Sequence, residues 1–249
     1  MFTPPNPNIA AMVLAAGRGN RMRPLTDHTP KPLLPVHGKP LMLWPMDALQ
    51  AGGFYRVLVN TAWLGEQIAA RLATWAAEQP QAELAFSHEG QEFGYALETA
   101  GGIARALPGL GQRFWVLAGD VYAPDFAFTQ ASVERFSASG LLAHLWLVPN
   151  PPHNQRGDFG LSGAGLALNT TGGERFTFST IGLFQRALFE APWCEIVPGN
   201  PLGTAAPLAP LLRAATDAGQ VSAEVYAGRW TDVGTPERLK ELNRSSHVR

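Results

Sequence analysis

The sequence predicts an α/β protein: a doubly wound, mostly parallel sheet with a smaller mixed β region in its C-terminal part. Three observations predict it. Apolar runs of strand length alternate with stretches of helical period through the first 150 residues. Gly, Pro and Asn punctuate these runs at short intervals, leaving no room for long connections. Beyond that point a Gly-rich hairpin pattern replaces the alternation.

The first strand spans Ala11–Leu14, inside the small apolar run from Ala10 to Ala15. A helix follows Pro40, with Leu41, Trp44, Ala48 and Leu49 on one face and Gly52-Gly53 as its stop. Arg56–Asn60 reads as the second strand, and Leu64, Ile68, Leu72 and Trp75 recur at helical spacing up to Pro80. Glu83–Ser87 is a third strand, Thr99–Leu107 a helix closed by Pro108-Gly109, and Phe114–Ala118 a fourth, strongly apolar strand. Ser132–Ser137 is expected to be helical and Ala143–Val148 to be the fifth strand. Gly160–Leu168 reads as a hairpin and Phe176–Leu183 as a strand. Gln185–Glu190 and Leu208–Ala218 read as helices, with Pro192–Pro207 an irregular loop. Val221–Tyr226 and Arg229–Val233 are expected to pair across Ala227-Gly228, and a last helix starts near Pro236.

A net charge of −1 with no block of like charges gives no nucleic-acid stripe and no membrane-binding surface. The single cysteine, Cys194, excludes an intramolecular disulfide. No apolar run reaches the length of a spanning helix, and the N-terminus lacks the basic and apolar regions of a signal peptide. The expectation is a cytoplasmic chain with a flexible Pro/Asn-rich lead-in over residues 1–9 and one domain over 10–249.

Chemistry concentrates where the first strand ends. Leu14, Ala15 and Ala16 lead into Gly17 and Gly19, interleaved with Arg18 and Arg21, and Lys31 follows between two prolines. Glycines let a backbone bring its N–H groups close to phosphate oxygens, and the cations offset their charge. The dinucleotide fingerprint G-x-G-x-x-G fails at Met22, and Gly38-Lys39 is followed by Pro40, which excludes a Walker A loop. In an α/β sheet ligands sit at the C-terminal ends of strands, and Gly17, Asn60, Asp120 and Asn150 each stand just past such an end. Asp120, after VLAG, and Asp232, in RWTDVGT, are carboxylates suited to Mg²⁺, with a helix cap or turn as the alternative role. Arg18 could reach a triphosphate or simply be solvated; His88 and His153 read as exposed loop histidines.

The run Leu14-Ala15-Ala16-Gly17-x-Gly19-x-Arg21, followed by Pro30-Lys31-Pro32, resembles the signature of sugar-phosphate nucleotidyltransferases. That resemblance extends from Ala10 to Leu242. It implies a Rossmann-like fold with a nucleotide-binding part over about 10–125 and a sugar-phosphate-binding part over about 126–242. It implies that Asp120 and Asp232 share Mg²⁺, and that Arg21, Lys31, Asp120 and Asp232 carry catalysis. Asn60, Gly101 and Gly102 then join the glycine loop in holding the nucleotide, the two glycines by letting a base come close. Lys31, Glu98, Asn150, Arg156 and Gly160 would contact the sugar phosphate, with the Phe159-Gly160-Leu161 element at the sugar.

Relatives of this kind carry a Glu-Lys pair before the strand at Phe176–Leu183. This chain has Glu174-Arg175 and no lysine between Lys39 and Lys240, so Arg156, Arg175 or Lys31 is expected to supply that cation. The stretches NTAWLGEQI, LETAGGI and WTDVGTPERL are most similar to the branch that joins UTP to N-acetylmuramate 1-phosphate for peptidoglycan recycling. A hexose 1-phosphate or phosphocholine with another nucleoside triphosphate, or a non-catalytic nucleotide-sugar-binding subunit, remain the alternatives.

Overall fold

The computed structural model describes residues 9–170 and 172–245. The lead-in expected over residues 1–9 lies, apart from Ile9, outside them. The chain begins with β1 (Ile9–Ala15), the glycine loop and a small hairpin of β2 (Pro35–Val36) and β3 (Lys39–Pro40). There follow α1 (Leu43–Ala51), β4 (Arg56–Thr61), α2 (Gly65–Ala77), β5 (Glu83–His88), the short α3 (Glu89–Phe93), α4 (Glu98–Ala106), β6 (Leu110–Ala118) and β7 (Val121–Tyr122). The second half adds α5 (Gln130–Ser139), β8 (Ala143–Val148), β9 (Phe159–Leu161), β10 (Ala167–Leu168), β11 (Arg175–Gln185), α6 (Leu208–Asp217), β12 (Val221–Val225), β13 (Thr231–Asp232) and α7 (Pro236–Arg244).

The main sheet runs β5-β4-β1-β6-β11-β8-β12, with β9 and β10 attached to the start of β11. β5, β4, β1 and β6 are parallel. β11 lies antiparallel to both β6 and β8, and β12 is parallel to β8, so β11 is the one reversed strand of that path. The C-terminal ends of β1, β4, β5, β6 and β8 therefore share one edge, as the strand-end rule requires.

Neighbouring residues of the central strands serve opposite faces, which is why these strands read as continuous apolar runs. Met12, Leu58, Phe114 and Leu145 pack with Ile103 of α4 and Leu212 of α6. Val13, Val57, Trp115 and Trp146 pack with Met46 of α1, Ile68, Leu72 and Trp75 of α2, and Phe136 of α5. Each such burial is worth about 1.5–3 kcal/mol. A separate cluster of Met22, Leu34, Val36, Leu41, Tyr122, Val233 and Leu239 joins the glycine-loop segment to β7, β13 and α7. α7 starts with Thr235 as N-cap, its hydroxyl accepting from the Arg238 amide at 3.4 Å, and with Pro236 in its first turn. Its Asn243 accepts from the His37 amide (2.6 Å) and donates to the Pro35 carbonyl (3.1 Å), which docks the helix on the β2–β3 hairpin.

Three expectations are corrected. Val221–Tyr226 and Arg229–Val233 do not pair with each other. β12 pairs with β8 and buries Val221 and Ala223, whereas Thr231–Asp232 pairs antiparallel with Val121–Tyr122. Completing the main sheet outcompetes a local hairpin because it buries one face of the strand. In place of a helix over Gln185–Glu190 there is a 3₁₀ turn, Arg186–Phe189. Leu188 and Phe189 are driven fully into the core there, and Arg186 donates to the Leu107 carbonyl at 2.7 Å. α5 is longer than Ser132–Ser137, extended at its start by Thr129, whose hydroxyl accepts from the Ser132 amide at 3.1 Å.

Candidate active site

A cavity of about 780 Å³ opens at the shared strand-end edge, a size that suits a small-molecule substrate. Leu14, Ala15, Ala16, Gly17, Gly19, Arg21, Lys31, Asn60, Glu98 and Asp120 all line it. The loop keeps its shape because the Gly19 carbonyl accepts from the Met22 amide (2.8 Å) and the Thr26 hydroxyl (2.9 Å). Gly19 adopts φ +69°, and a Cβ there would stand 3.2 Å from Lys31 Cβ. Glycine thus serves both the left-handed turn and the approach of Lys31. Lys31 is buried and pairs with the Asp120 carboxylate. Arg21 is exposed at the loop, while Arg18 turns away and stacks on Trp63, 3.5 Å from the ring centroid.

Below the loop lies a buried polar network that the sequence did not reveal. Asn60 Oδ1 accepts from the Ala15 amide (2.9 Å), and Asn60 Nδ2 donates to Glu89 Oε1 (2.8 Å). The other Glu89 oxygen accepts from the Leu97 amide at 2.7 Å. Burial pushes the Glu89 carboxyl above its ordinary value, with the Leu97 and Asn60 hydrogen bonds acting in the opposite sense. The network joins the loop after β1 to the segment Ala96–Thr99, whose Ala96, Glu98 and Thr99 form another wall. Glu98 holds φ +57° and Thr180, across the cavity, φ +64°. Such backbone costs of order 1–3 kcal/mol for a residue with a Cβ, and both outliers stand in the wall. Glu89 had a signal available: it follows the end of β5, on the same edge as Asn60 and Asp120.

Asp232 reaches this edge through β13. Its register partner is Val121, and the Val233 amide donates to the Asp120 carbonyl at 3.1 Å. Gly234, two residues on, lines the cavity. Arg238 Nη1 donates to both Asp232 oxygens, at 2.7 and 2.6 Å. His153 Nε2 lies 3.1 Å from Asp232 Oδ1, so this histidine touches a candidate carboxylate instead of only facing solvent. Mg²⁺ accepts one or two carboxylates and completes its shell with phosphate oxygens and water. Two oxygen-only side chains on adjoining strand ends, each one-quarter to one-third exposed, fit that requirement. Among the described residues no group of three or more His, Cys, Asp and Glu converges, as a protein-only metal cage would need.

Several predicted residues stand elsewhere. Gly101 and Gly102 are buried in α4, and the close approach they permit is to protein. A Cβ on Gly101 would meet the Thr204 carbonyl, and one on Gly102 would come within 2.7 Å of Glu89 Oε1. Asn150 donates to the Arg175 carbonyl (2.9 Å) and accepts from the Thr177 hydroxyl (2.9 Å), so it secures the loop after β8 to β11. Arg156 is exposed and outside the cavity wall. Arg175 spends its guanidinium on the carbonyls of Arg156, Asn169, Thr170, Gly157 and Asp158, fastening the β9–β10 hairpin to β11. Gly160 is buried in β9, where it pairs with Arg175, and its neighbour Phe159 is the residue facing the cavity. Asp158, Phe178, Thr180 and Arg213 line the same end, and sequence reading named none of them.

The assembled groups are a glycine loop with Arg21 at the cavity, a buried Lys–Asp pair and a second carboxylate. They can neutralise a polyphosphate and hold an incoming anion in line with it. No side chain in the wall is required as a covalent nucleophile.

Comparison with known proteins bears on the family and the fold. Residues 10–165 match the family model described as Nucleotidyl transferase. The N-acetylmuramate alpha-1-phosphate uridylyltransferase of Neisseria meningitidis serogroup B is 46% identical over 234 residues, covering 93% of this chain and 95% of that one. The protein of the same name from Caulobacter vibrioides is 31% identical over 238 residues, covering 91% and 92%. Among solved structures, a Bacillus anthracis chain crystallised with sucrose superposes with a TM-score of 0.74 at 18% identity, covering 94% and 93%. That likeness bears on the fold.

Proposed function

Since the chain belongs to the nucleotidyl transferase family, we propose that it transfers the uridylyl group of UTP to N-acetyl-α-muramate 1-phosphate. The products are UDP-N-acetylmuramate and pyrophosphate, and the reaction serves cytoplasmic recycling of peptidoglycan. The observation that carries the reading is the convergence of the glycine loop, Lys31 and Asp120 on one cavity, with Asp232 brought beside Asp120 by the β7–β13 pairing. The substrate pair is supported by two relatives of that printed activity that match over nine-tenths of their length.

The chain's own residues account for the chemistry. A sugar 1-phosphate is ionised at neutral pH, so its oxygen attacks the α-phosphorus without a general base. Backbone N–H groups of the loop from Ala16 to Gly19 and the Arg21 fork hold the β- and γ-phosphates, which leave as pyrophosphate. Lys31, freed from Asp120 as phosphate arrives, places a compact charge at the reacting phosphate. Asp120 and Asp232 are the residues that would hold Mg²⁺, which would supply neutralisation of phosphate charge. Asn60 fixes the Ala15 amide and so the entry of the loop. Glu98 and Thr99 complete the wall of the cavity.

The test is pyrophosphate release with Mg²⁺, crossing UTP, dTTP, CTP and GTP with N-acetylmuramate, N-acetylglucosamine and glucose 1-phosphates and with phosphocholine. Turnover centred on UTP and N-acetylmuramate 1-phosphate is expected. Preference for another pair overturns the substrate assignment, and UTP binding without any release overturns the enzyme assignment.

A further inference from the structure

A sugar 1-phosphate that carries a carboxylate presents two anionic ends, and the cavity presents a cation at each. Arg21 and Lys31 belong to the glycine-loop end, where Asp120 also stands. Among the described residues, the remaining cation in the wall is Arg213, on α6. From the geometry we infer that Arg213 is the specificity-determining residue that recognises an acidic substituent on the sugar. This inference rests on the proposed nucleotidyl transfer and adds to it the feature of the sugar that this chain selects.

Position separates Arg213 from the reacting phosphate. Its guanidinium lies over the ring of Phe159, 5.5 Å from the centroid. Phe159 pairs with Phe176 of β11, whereas Ile181 of β11 pairs with Leu117, just before the Gly119-Asp120 turn. The five steps from Phe176 to Ile181 span at most roughly 17 Å at about 3.3 Å each. An arginine side chain and a substituted hexose together cover that distance, so Arg213 meets the sugar's distal side while the 1-phosphate lies near Lys31.

Arg213 is also available in a way the other arginines of this region are not. Among the described residues its guanidinium makes one long hydrogen bond, to Asn169 Oδ1 at 3.4 Å, besides the aromatic contact. It is exposed at the cavity, while Arg175 is committed to carbonyls and Arg156 lies outside the wall. Among the described residues, Asp158 is the carboxylate next to Phe159 in the wall. Its Oδ2 accepts from the Phe178 amide (2.9 Å) and both oxygens from Asn154 (3.2 Å), so backbone and amide donors already occupy it. The cation–π contact with Phe159 holds the guanidinium at this part of the wall, and a planar fork suits bidentate binding of a carboxylate.

The experiment compares kcat/KM for N-acetylmuramate 1-phosphate and N-acetylglucosamine 1-phosphate, which differ by the lactyl carboxylate, in wild type, Arg213→Ala and Arg213→Lys. Thermal melts establish that each variant is folded. The expected result is a fall of about 10- to 100-fold in the acidic-over-neutral ratio for Arg213→Ala, mainly through KM of the acidic sugar, and partial recovery in Arg213→Lys. An unchanged ratio overturns the inference. An equal loss on both sugars also overturns it, because Arg213 would then bind the shared 1-phosphate. The wild-type rows test the transfer reading by themselves: wild type that favours another substrate pair defeats that reading, whatever the variants do.

Discussion

The amide of Val233 donates to the carbonyl of Asp120 at 3.1 Å, joining two residues 113 positions apart at the rim of the main sheet. This bond continues the β7–β13 ladder and sets Asp232 beside the end of β6. A carboxylate from the end of the chain is thereby set beside the glycine loop, Lys31 and Asp120, which come from its first half.

The first prediction follows from that junction. Asp120→Asn and Asp232→Asn should each lower kcat by about a thousand-fold or more while far-UV circular dichroism and the melting temperature stay near wild type. Each substitution removes one negative charge from the metal pair and is nearly isosteric. Pyrophosphate release titrated with Mg²⁺ is the measurement, and near-normal turnover in both variants would defeat the metal assignment.

Glu89 gives a pH prediction. Its folded-state carboxyl is raised from the ordinary 4.5 by burial. Between that value and the raised one the native state binds more protons than the unfolded chain. The contribution to stability is therefore complete below about 4.5 and is lost as pH rises through the folded value. Glu89→Gln cannot titrate, so its stability relative to wild type should improve steadily across this window, from whatever offset the altered hydrogen bonds to Asn60 and Leu97 impose. Denaturant unfolding at a series of pH values decides it, and parallel curves for the two proteins would contradict it.

Arg175 is expected to act on the hairpin and not on the sugar phosphate. Its donations to carbonyls on both sides of β9–β10 require a fork, so Arg175→Lys should behave much like Arg175→Ala. Either change should cost about 1–3 kcal/mol and expose the hairpin to proteolysis. Rescue by lysine, accompanied by a selective change in KM for the sugar phosphate, would return Arg175 to a binding role.

Two glycines should separate function from stability. A Cβ on Gly17 meets nothing within 4 Å, and Gly17 lines the cavity. Gly17→Ala should therefore melt like wild type and raise KM for UTP by about tenfold, because the methyl occupies phosphate space. A Cβ on Gly101 runs into the Thr204 carbonyl and lies 3.1 Å from the Ala206 amide nitrogen. Gly101→Ala should lose about 1–3 kcal/mol in denaturant unfolding. Equal melting of the two variants would refute the distinction.

The sequence by itself determined the strand–helix alternation, the glycine loop and the edge on which Gly17, Asn60 and Asp120 stand. These are local signals: a strand's apolar run, the glycines that let the chain turn after it, and the polar residue that follows a buried strand in an α/β sheet. Tertiary structure decided what depends on partners far away in the chain. Val221–Val225 carries the same alternation whether it pairs with Arg229–Val233 or with β8, and the choice fell to the apolar face that β8 offered. That choice released Thr231–Asp232 to pair with Val121–Tyr122 and bring the second carboxylate to the rim. The same limit hid the roles of charged side chains. The sequence shows Arg175, Arg213, Arg238 and Glu89 as charges of known sign, but a charge's function is set by what lies within about 3 Å of it. Carbonyls claimed Arg175, a carboxylate claimed Arg238, two donors claimed Glu89, and Arg213 was left over an aromatic ring at the open end of the cavity.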